Sequence, residues 1–237
     1  MAAEACWMKN GEIPDIVIRR LPIYVRTLRR MLDEGITSVS SEELAERLDV
    51  TAAQIRRDLS YFGKFGKQGK GYDVAKLAAE ISHILNLDRQ WDVALVGYGH
   101  LGQAIAHYRG FMPNSFHVAV IFARNPEHIG QQVSGVVVLE NTDIASVVRE
   151  MGIKIGIVAV PASAAQDVTN QLIAGGVTAI LNYAPVILKV PSNVWIREND
   201  PTSALQSLTY YIDTDHADND AKVPSPIGGH LHSQVAD

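Results

Sequence analysis

The 237-residue sequence contains one cysteine, Cys6. A single thiol closes no internal disulfide, and no Cys/His cluster has the spacing of a zinc site. No uncharged run approaches the roughly 18–20 residues of a membrane-spanning helix. The first ten residues carry Glu4 and Lys9 and lack the apolar core of a secretory signal. These absences predict a cytoplasmic chain without membrane partners. Internal repeats are lacking too. So is a positive net charge, which stands at −5 and by itself speaks against nucleic acid. The distribution reverses that reading. Residues 1–72 carry twelve Lys/Arg against ten Asp/Glu, and residues 73–237 carry nine against sixteen. Within 52–72 five basic residues (Arg56, Arg57, Lys64, Lys67, Lys70) meet one acid, Asp58. Such a local stripe is the footprint that phosphate binding needs.

What is present divides into two grammars. From Pro14, apolar residues at Val17, Leu21, Tyr24, Leu28 and Met31 predict a helix, with a kink or a fresh turn at Pro22. Arg19, Arg20, Arg26, Arg29 and Arg30 read mostly as its solvated face. Ser40 with Glu43, and Thr51 with Gln54, read as two capping boxes. The residues between their helices, Leu48-Asp49-Val50, make a gap of helix-turn-helix length. The second helix would present Thr51, Ala52, Gln54, Arg56, Arg57 and Ser60 to DNA, with Ile55 and Leu59 facing the core. The glycine- and lysine-rich run 62–72, with Lys64, Lys67 and Lys70, reads as a hairpin wing. A connecting helix is predicted over Val74–Leu85.

After Trp91 short apolar strands alternate with helices, which implies a parallel sheet with right-handed crossovers. Strands are expected at Val93–Val96, Val118–Phe122, Ile155–Val160 and Ala179–Leu181, with possible edge strands at Val186–Val190 and Val194–Ile196. Helices are expected at Leu101–Arg109, Thr142–Met151, Ser163–Ala174 and Ser203–Ile212. Gly97-Tyr98-Gly99-His100-Leu101-Gly102 follows a strand and opens a helix, the context that makes GxGxxG a dinucleotide signal. Gly97 would permit the tight turn, Gly99 the approach of the pyrophosphate, and Gly102 the packing of helix on strand. The ribose position departs from the rule. The second strand ends Ile121-Phe122-Ala123-Arg124-Asn125, without the usual acid. Arg124 reads as a surface arginine, an adenine-stacking group or a ligand for a 2′-phosphate, so NADP(H) joins NAD(H) as a candidate.

The runs Thr51-Ala-Ala-Gln-Ile-Arg-Arg-Asp-Leu-Ser-Tyr-Phe-Gly63 and Gly176-Val-Thr-Ala-Ile-Leu-Asn-Tyr-Ala-Pro-Val186, together with the glycine turn, strongly resemble the Rex family of bacterial redox-sensing repressors. Arg20–Arg26 and Leu205–Tyr211 fit as well, so the resemblance spans about residues 14–213. It implies an α/β chain: an N-terminal winged helix-turn-helix (14–73), a connecting helix (74–90), a Rossmann-like parallel-sheet domain (91–200) and a C-terminal domain-swapped helix (201–213). From Thr214 the chain turns polar, rich in Asp, Gly, Pro and Ser, and reads as a disordered tail (214–237). The tail's three histidines suit a polar tail better than a metal site. The resemblance further implies a homodimer that binds an operator when NADH is scarce and leaves it when NADH binds. Pro161, Ala162, Asn182, Tyr183 and Ala184 would line the nicotinamide end. Arg26, Tyr108 and Asp200 match positions that exchange bonds between the two states. The family usually has Asp where this chain has Ala123. Two other readings stay open: a nicotinamide-dependent oxidoreductase, and a DNA-binding protein that responds to another nucleotide such as CoA. The first lacks an acid/base pair at a strand end and the chain length for a substrate domain, so the chain is expected not to be an enzyme.

Overall fold

A computed structural model describes residues 13–65 and 71–213. The chain forms two units that meet in sequence at Asp88 and Arg89.

In the N-terminal unit, α1 runs from Asp15 to Asp33. It is continuous through Pro22, which is exposed. No fresh turn begins at Pro22, although the proline still removes one helix donor. Val17, Leu21, Tyr24, Leu28 and Met31 are all buried, as their spacing predicts. A short strand, β1 (Ser38–Val39), precedes α2 (Ser41–Leu48). Ser40 caps α2 in a complete box: its hydroxyl accepts from the Glu43 amide at 3.0 Å, and its own amide donates to the Glu43 carboxylate at 2.7 Å. Asp49 ends the helix in the left-handed region at φ 52°. α3 (Ala52–Ser60) then starts on Thr51, whose hydroxyl accepts from the Gln54 amide at 3.2 Å. The reciprocal Gln54 bond of a full box is not formed there.

The return arm of the predicted wing is β2 (Tyr72–Asp73), and it pairs antiparallel with β1. Residues 62–65 form no strand, and the rest of the hairpin expected within 62–72 falls on 66–70, outside the described residues; β2 itself pairs with a strand that precedes α2. Lys67 and Lys70 lie outside the described residues. α4 (Val74–Ile84) starts on Asp73, which accepts from the Lys76 amide. It was expected as a connector. Instead Val74, Leu77, Ala78 and Ile81 are buried in one core with α1, α2 and α3, so α4 is a structural helix of this unit. Burying side chains of this size contributes about 1.5–3 kcal/mol each for the larger ones, which holds α4 in place.

In the second unit, six strands are parallel: β3 (Trp91–Val96), β4 (Phe116–Ala123), β6 (Val136–Glu140), β7 (Ile155–Val158), β8 (Ala179–Asn182) and β9 (Trp195–Glu198). β5 (Gln132–Val133) adds an antiparallel edge. The spatial order is β5-β6-β4-β3-β7-β8-β9. Counting only the parallel strands, this is the 3-2-1-4-5-6 order of a dinucleotide-binding sheet. Side-chain alternation sorts the core. Ala94 and Val96 face a cluster with Ile144 and Val148 of α6 (Ile144–Glu150) and with Ala165, Val168 and Leu172 of α7 (Ala162–Ala174). Val93 and Leu95 face the other cluster, with Ile105 of α5 (His100–Ala106). Burial on both faces explains why Val93–Val96 of β3 reads as an unbroken apolar run.

Two expectations fail in this unit. Residues 186–190 form no strand, because Val186 is drawn into a turn by Asn182, whose amide donates to its carbonyl at 2.9 Å. The β5–β6 hairpin was not expected at all. The last helix, α8 (Pro201–Asp213), leaves Leu205, Leu208, Tyr210 and Ile212 more than half exposed. The tail from 214 lies outside the described residues. Among the described residues no helix is long and apolar enough to cross a membrane.

Candidate functional site

Two sites emerge, one in each unit. On α3, Ile55 and Leu59 face the core and Arg56, Arg57 and Ser60 are exposed, while Ala52 and Gln54 are half-buried. Asp58 is also buried, at 1% exposure. Its carboxylate accepts two bonds from the Arg20 guanidinium, at 2.6 and 2.5 Å, and one from the Tyr24 hydroxyl at 2.7 Å. Arg20 was read as part of a solvated face and is instead buried. This pairing raises the Arg20 pKa further above its ordinary value, and burial, with the Asp58 hydrogen bond, raises that of Tyr24. The consequence is electrostatic: the one acid of the 52–72 stripe is neutralised inside, and the exposed face of α3 is cationic.

The cations on that face are not equivalent. Arg56 donates to the Ser41 hydroxyl at 2.7 Å and to Glu42 at 2.9 Å, which lowers the Glu42 pKa. Arg57 makes no side-chain hydrogen bond or ion pair with a described residue. Thr51 and Ser60 spend their hydroxyls locally, on the Gln54 amide and the Arg57 carbonyl. Lys64 is exposed. The side chain most free to meet DNA is therefore Arg57.

In the second unit the parallel register aligns four strand ends. Phe122, Val96, Val158 and Asn182 form one row across the sheet. Just past that row lie Gly97, Ala123, Ala159 and Tyr183. Ala159 donates its amide to the Val96 carbonyl at 2.8 Å, where the strand order reverses. Crevices at such reversals, beyond the carboxyl ends of the strands, are where ligands bind in these sheets. Gly97 has φ +104°, and a Cβ there would stand 2.2 Å from the Ala159 carbonyl oxygen. A Cβ on Gly102 would stand 1.9 Å from the Gly97 oxygen. Both glycines are demanded by the fold. Gly99 differs: among the described residues, beyond its own chain neighbours, no atom lies within 4 Å of its would-be Cβ, so no neighbouring element requires glycine there. A dinucleotide whose pyrophosphate meets the backbone would require it, and the turn fits that group.

The remaining predicted contacts divide by exposure. His100, Leu101, Arg124, Pro161 and Ala162 are exposed. Tyr98 is buried, its ring edge-on to His128 at 5.3 Å, so its backbone faces the turn while its side chain belongs to the core. Tyr183 is half-buried and Ala184 buried. Asn182 is fully buried, and its amide donates to the carbonyls of Ala184 and Val186 and, at 2.5 Å, to Glu198. Its oxygen accepts from the Ala184 amide. The Asn182 side chain thus shapes the 183–186 turn. The Asp200 carboxylate accepts from the Thr202 amide and the Ser203 hydroxyl at the start of α8, which lowers its pKa. Tyr108 is exposed and packs edge-on against Phe111. Arg26 is exposed on α1.

Comparison with known proteins fits both sites. The chain is 53% identical to the redox-sensing transcriptional repressor Rex of Roseiflexus sp. (strain RS-1) over 215 residues, covering 91% of this chain and 97% of that protein. The chain belongs to the Rex family. Among solved structures, RSP in complex with β-NAD+ and operator DNA is similar at TM-score 0.82 and 37% identity, covering 86% of this chain and 94% of that one. RSP in complex with β-NADH is similar at TM-score 0.78 and 35% identity, covering 86% and 95%. Residues 12–60 match a family described as "Putative DNA-binding protein N-terminus", and residues 88–186 one described as "CoA binding domain". The Rex-family fold is a DNA-binding helix-turn-helix unit followed by a Rossmann-like parallel sheet. The buried ion pair missed by sequence reasoning, Arg20 with Asp58, lies 38 positions apart in sequence, and no local pattern announces it.

Proposed function

We propose that this chain is a transcriptional repressor that reads the NADH/NAD+ balance, holding its operator when NADH is scarce and releasing it when NADH binds. The observation that carries this reading is Gly99: a glycine no neighbouring element requires, at a sheet reversal built for dinucleotides, in a chain whose other unit offers a free Arg57 on a recognition helix. The α3 residues Thr51, Ala52, Gln54, Arg56, Arg57 and Ser60, with Lys64, Lys67 and Lys70, make up the DNA surface. Arg56 acts mainly by tying α3 to α2. Gly97 to Gly102 take the pyrophosphate, Ala123 and Arg124 flank the adenosine ribose, and Pro161, Ala162 and the 182–184 turn bound the nicotinamide end. When bound, the dinucleotide supplies a ring whose charge differs between its oxidised and reduced forms. The chain's part is to hold those forms with unequal affinity, since a ligand shifts an equilibrium only by its differential affinity for the two states.

The working unit is a homodimer in the cytoplasm, where the operator is. The exposed apolar side chains of α8 support its crossing onto a second copy, and twofold symmetry matches a palindromic site. Arg26, Tyr108 and Asp200 would change partners between the two states. No catalytic step is assigned. The match to a CoA-binding family supports a second reading, in which another nucleotide is the effector. The test is an electrophoretic shift on a palindromic duplex selected by the full chain from a random pool, at fixed salt. NADH is expected to release the duplex and NAD+ and CoA to leave it bound. Release by CoA alone would favour the second reading, and equal retention with NAD+ and NADH would defeat the first.

A further inference from the structure

We infer that the effector site also accepts a 2′-phosphorylated adenosine, so that NADPH joins NADH as an effector of this chain and binds more tightly. The inference rests on the dinucleotide reading and specifies its ligand. The end of β4 is fixed against the glycine turn by the backbone: the Gly97 amide donates to the Phe122 carbonyl at 2.9 Å. The Asn141 amide donates to the Ala123 carbonyl at 3.1 Å. Beyond it, His128 packs edge-on against Tyr98 inside the turn, so residues 124–128 also lie beside it. This is the stretch where a sheet of this order meets the adenosine ribose.

A diol at that position calls for a carboxylate that accepts both hydroxyls, and a 2′-phosphate calls for a cation. The stretch holds Ala123, Arg124, Asn125 and Pro126. Ala123 offers a buried methyl group. The next carboxylate along the chain, Glu127, is held in a local turn: it accepts from the Asn125 side chain at 3.3 Å while its amide donates to Asn125 at 3.1 Å. Glu140 stands in register with Ala123 on the neighbouring strand and is exposed to solvent. Arg124 is exposed and makes no hydrogen bond or ion pair with a described residue. Four other arginines of the chain, Arg19, Arg20, Arg47 and Arg56, all hold carboxylates. A free guanidinium fork matches a phosphate.

The test measures NADH and NADPH binding to the full chain by nicotinamide fluorescence, and operator release by each at fixed salt. NADPH is expected to bind about tenfold or more tightly than NADH, the scale of one charge-assisted hydrogen bond. Arg124→Gln should weaken NADPH about tenfold and change NADH about twofold or less. Ala123→Asp with Arg124→Val should reverse the preference. If NADH binds and releases the operator while NADPH does neither, or if Arg124→Gln weakens both alike, the inference is overturned and the redox-sensing reading stands. If neither dinucleotide binds a chain that still holds its operator, the redox-sensing reading falls, and this inference with it.

Discussion

Buried polar groups differ between the two units in a way that tracks what each must hold. The N-terminal unit buries a charged pair, Arg20 with Asp58, and the Tyr24 hydroxyl completes it. Among the described residues, the Rossmann-like unit buries only neutral polar side chains, Thr169 and Asn182. A recognition helix must enter a groove at a set rotation, and a bidentate ion pair is directional enough to set it. Its price in desolvation is steep. A dinucleotide cradle has a different need, close backbone approach, and glycines with a satisfied buried amide meet it. One unit is specified by charge geometry and the other by the absence of side chains.

That contrast breaks most visibly at its charged end. Arg20→Met leaves Asp58 buried without its cation and is expected to destabilise the N-terminal unit by about 3–5 kcal/mol. Arg20→Met with Asp58→Leu should recover much of that loss, because a buried pair exchanged for apolar side chains is often neutral. Calorimetry of the full chain checks both, and an Arg20→Met transition unchanged from the wild type would refute the directional role. At the glycine end, Gly99→Val should leave the melting transition in place, since no neighbouring element opposes the side chain. It should cost the dinucleotide about 1–3 kcal/mol of affinity or more and yield a repressor that stays on DNA with NADH present. Gly102→Val should instead damage the fold, its Cβ meeting the Gly97 oxygen.

The surface of α3 sharpens the comparison further. Arg57→Ala is expected to weaken operator binding by about 1–3 kcal/mol if it reads a base, or to lower the salt slope by about one if it holds a phosphate. Arg56→Ala should do less to the operator, because Arg56 is already engaged with Ser41 and Glu42. A shift assay over a salt series separates the two, and equal losses would remove the distinction drawn between them. The smallest effect is at the end of α4, where His83 bonds Asp88 at 2.5 Å. That hydrogen bond raises the imidazole pKa above 6.5. A raised pKa in the folded state gives a stabilisation that is complete below pH 6.5 and fades as pH rises through the folded value. His83→Gln should abolish this small slope in melting temperature, which thermal scans across pH 5.5 to about 8 would reveal.

Much of the fold was legible because it is written at short range. Ser40 with Glu43, and the buried face of α1, follow from spacing and hydrogen-bond chemistry within a few residues. The β5–β6 hairpin was legible as well and was overlooked: Ser134-Gly135, both at positive φ, is a turn signal ahead of the run Val136-Val137-Val138-Leu139. Pro22 starts no fresh turn, because the burial of α1 around it outweighs one lost hydrogen bond. Residues 186–190 misled, since an apolar run reads as a strand until a side chain elsewhere claims its carbonyl.

The sequence alone determined that a helix-turn-helix precedes a parallel-sheet nucleotide fold, that Gly97, Gly99 and Gly102 open its first helix, and that β4 ends without an acid. Each of these depends on neighbours in the chain. Only the tertiary structure decided that Arg20 is buried on Asp58, that Arg57 rather than Arg56 is free, that Asn182 shapes a turn, and that Gly99 alone of the three is spared by the fold. Those assignments depend on which distant atoms compete for the same donor or the same space, and that competition exists only once the chain has closed on itself.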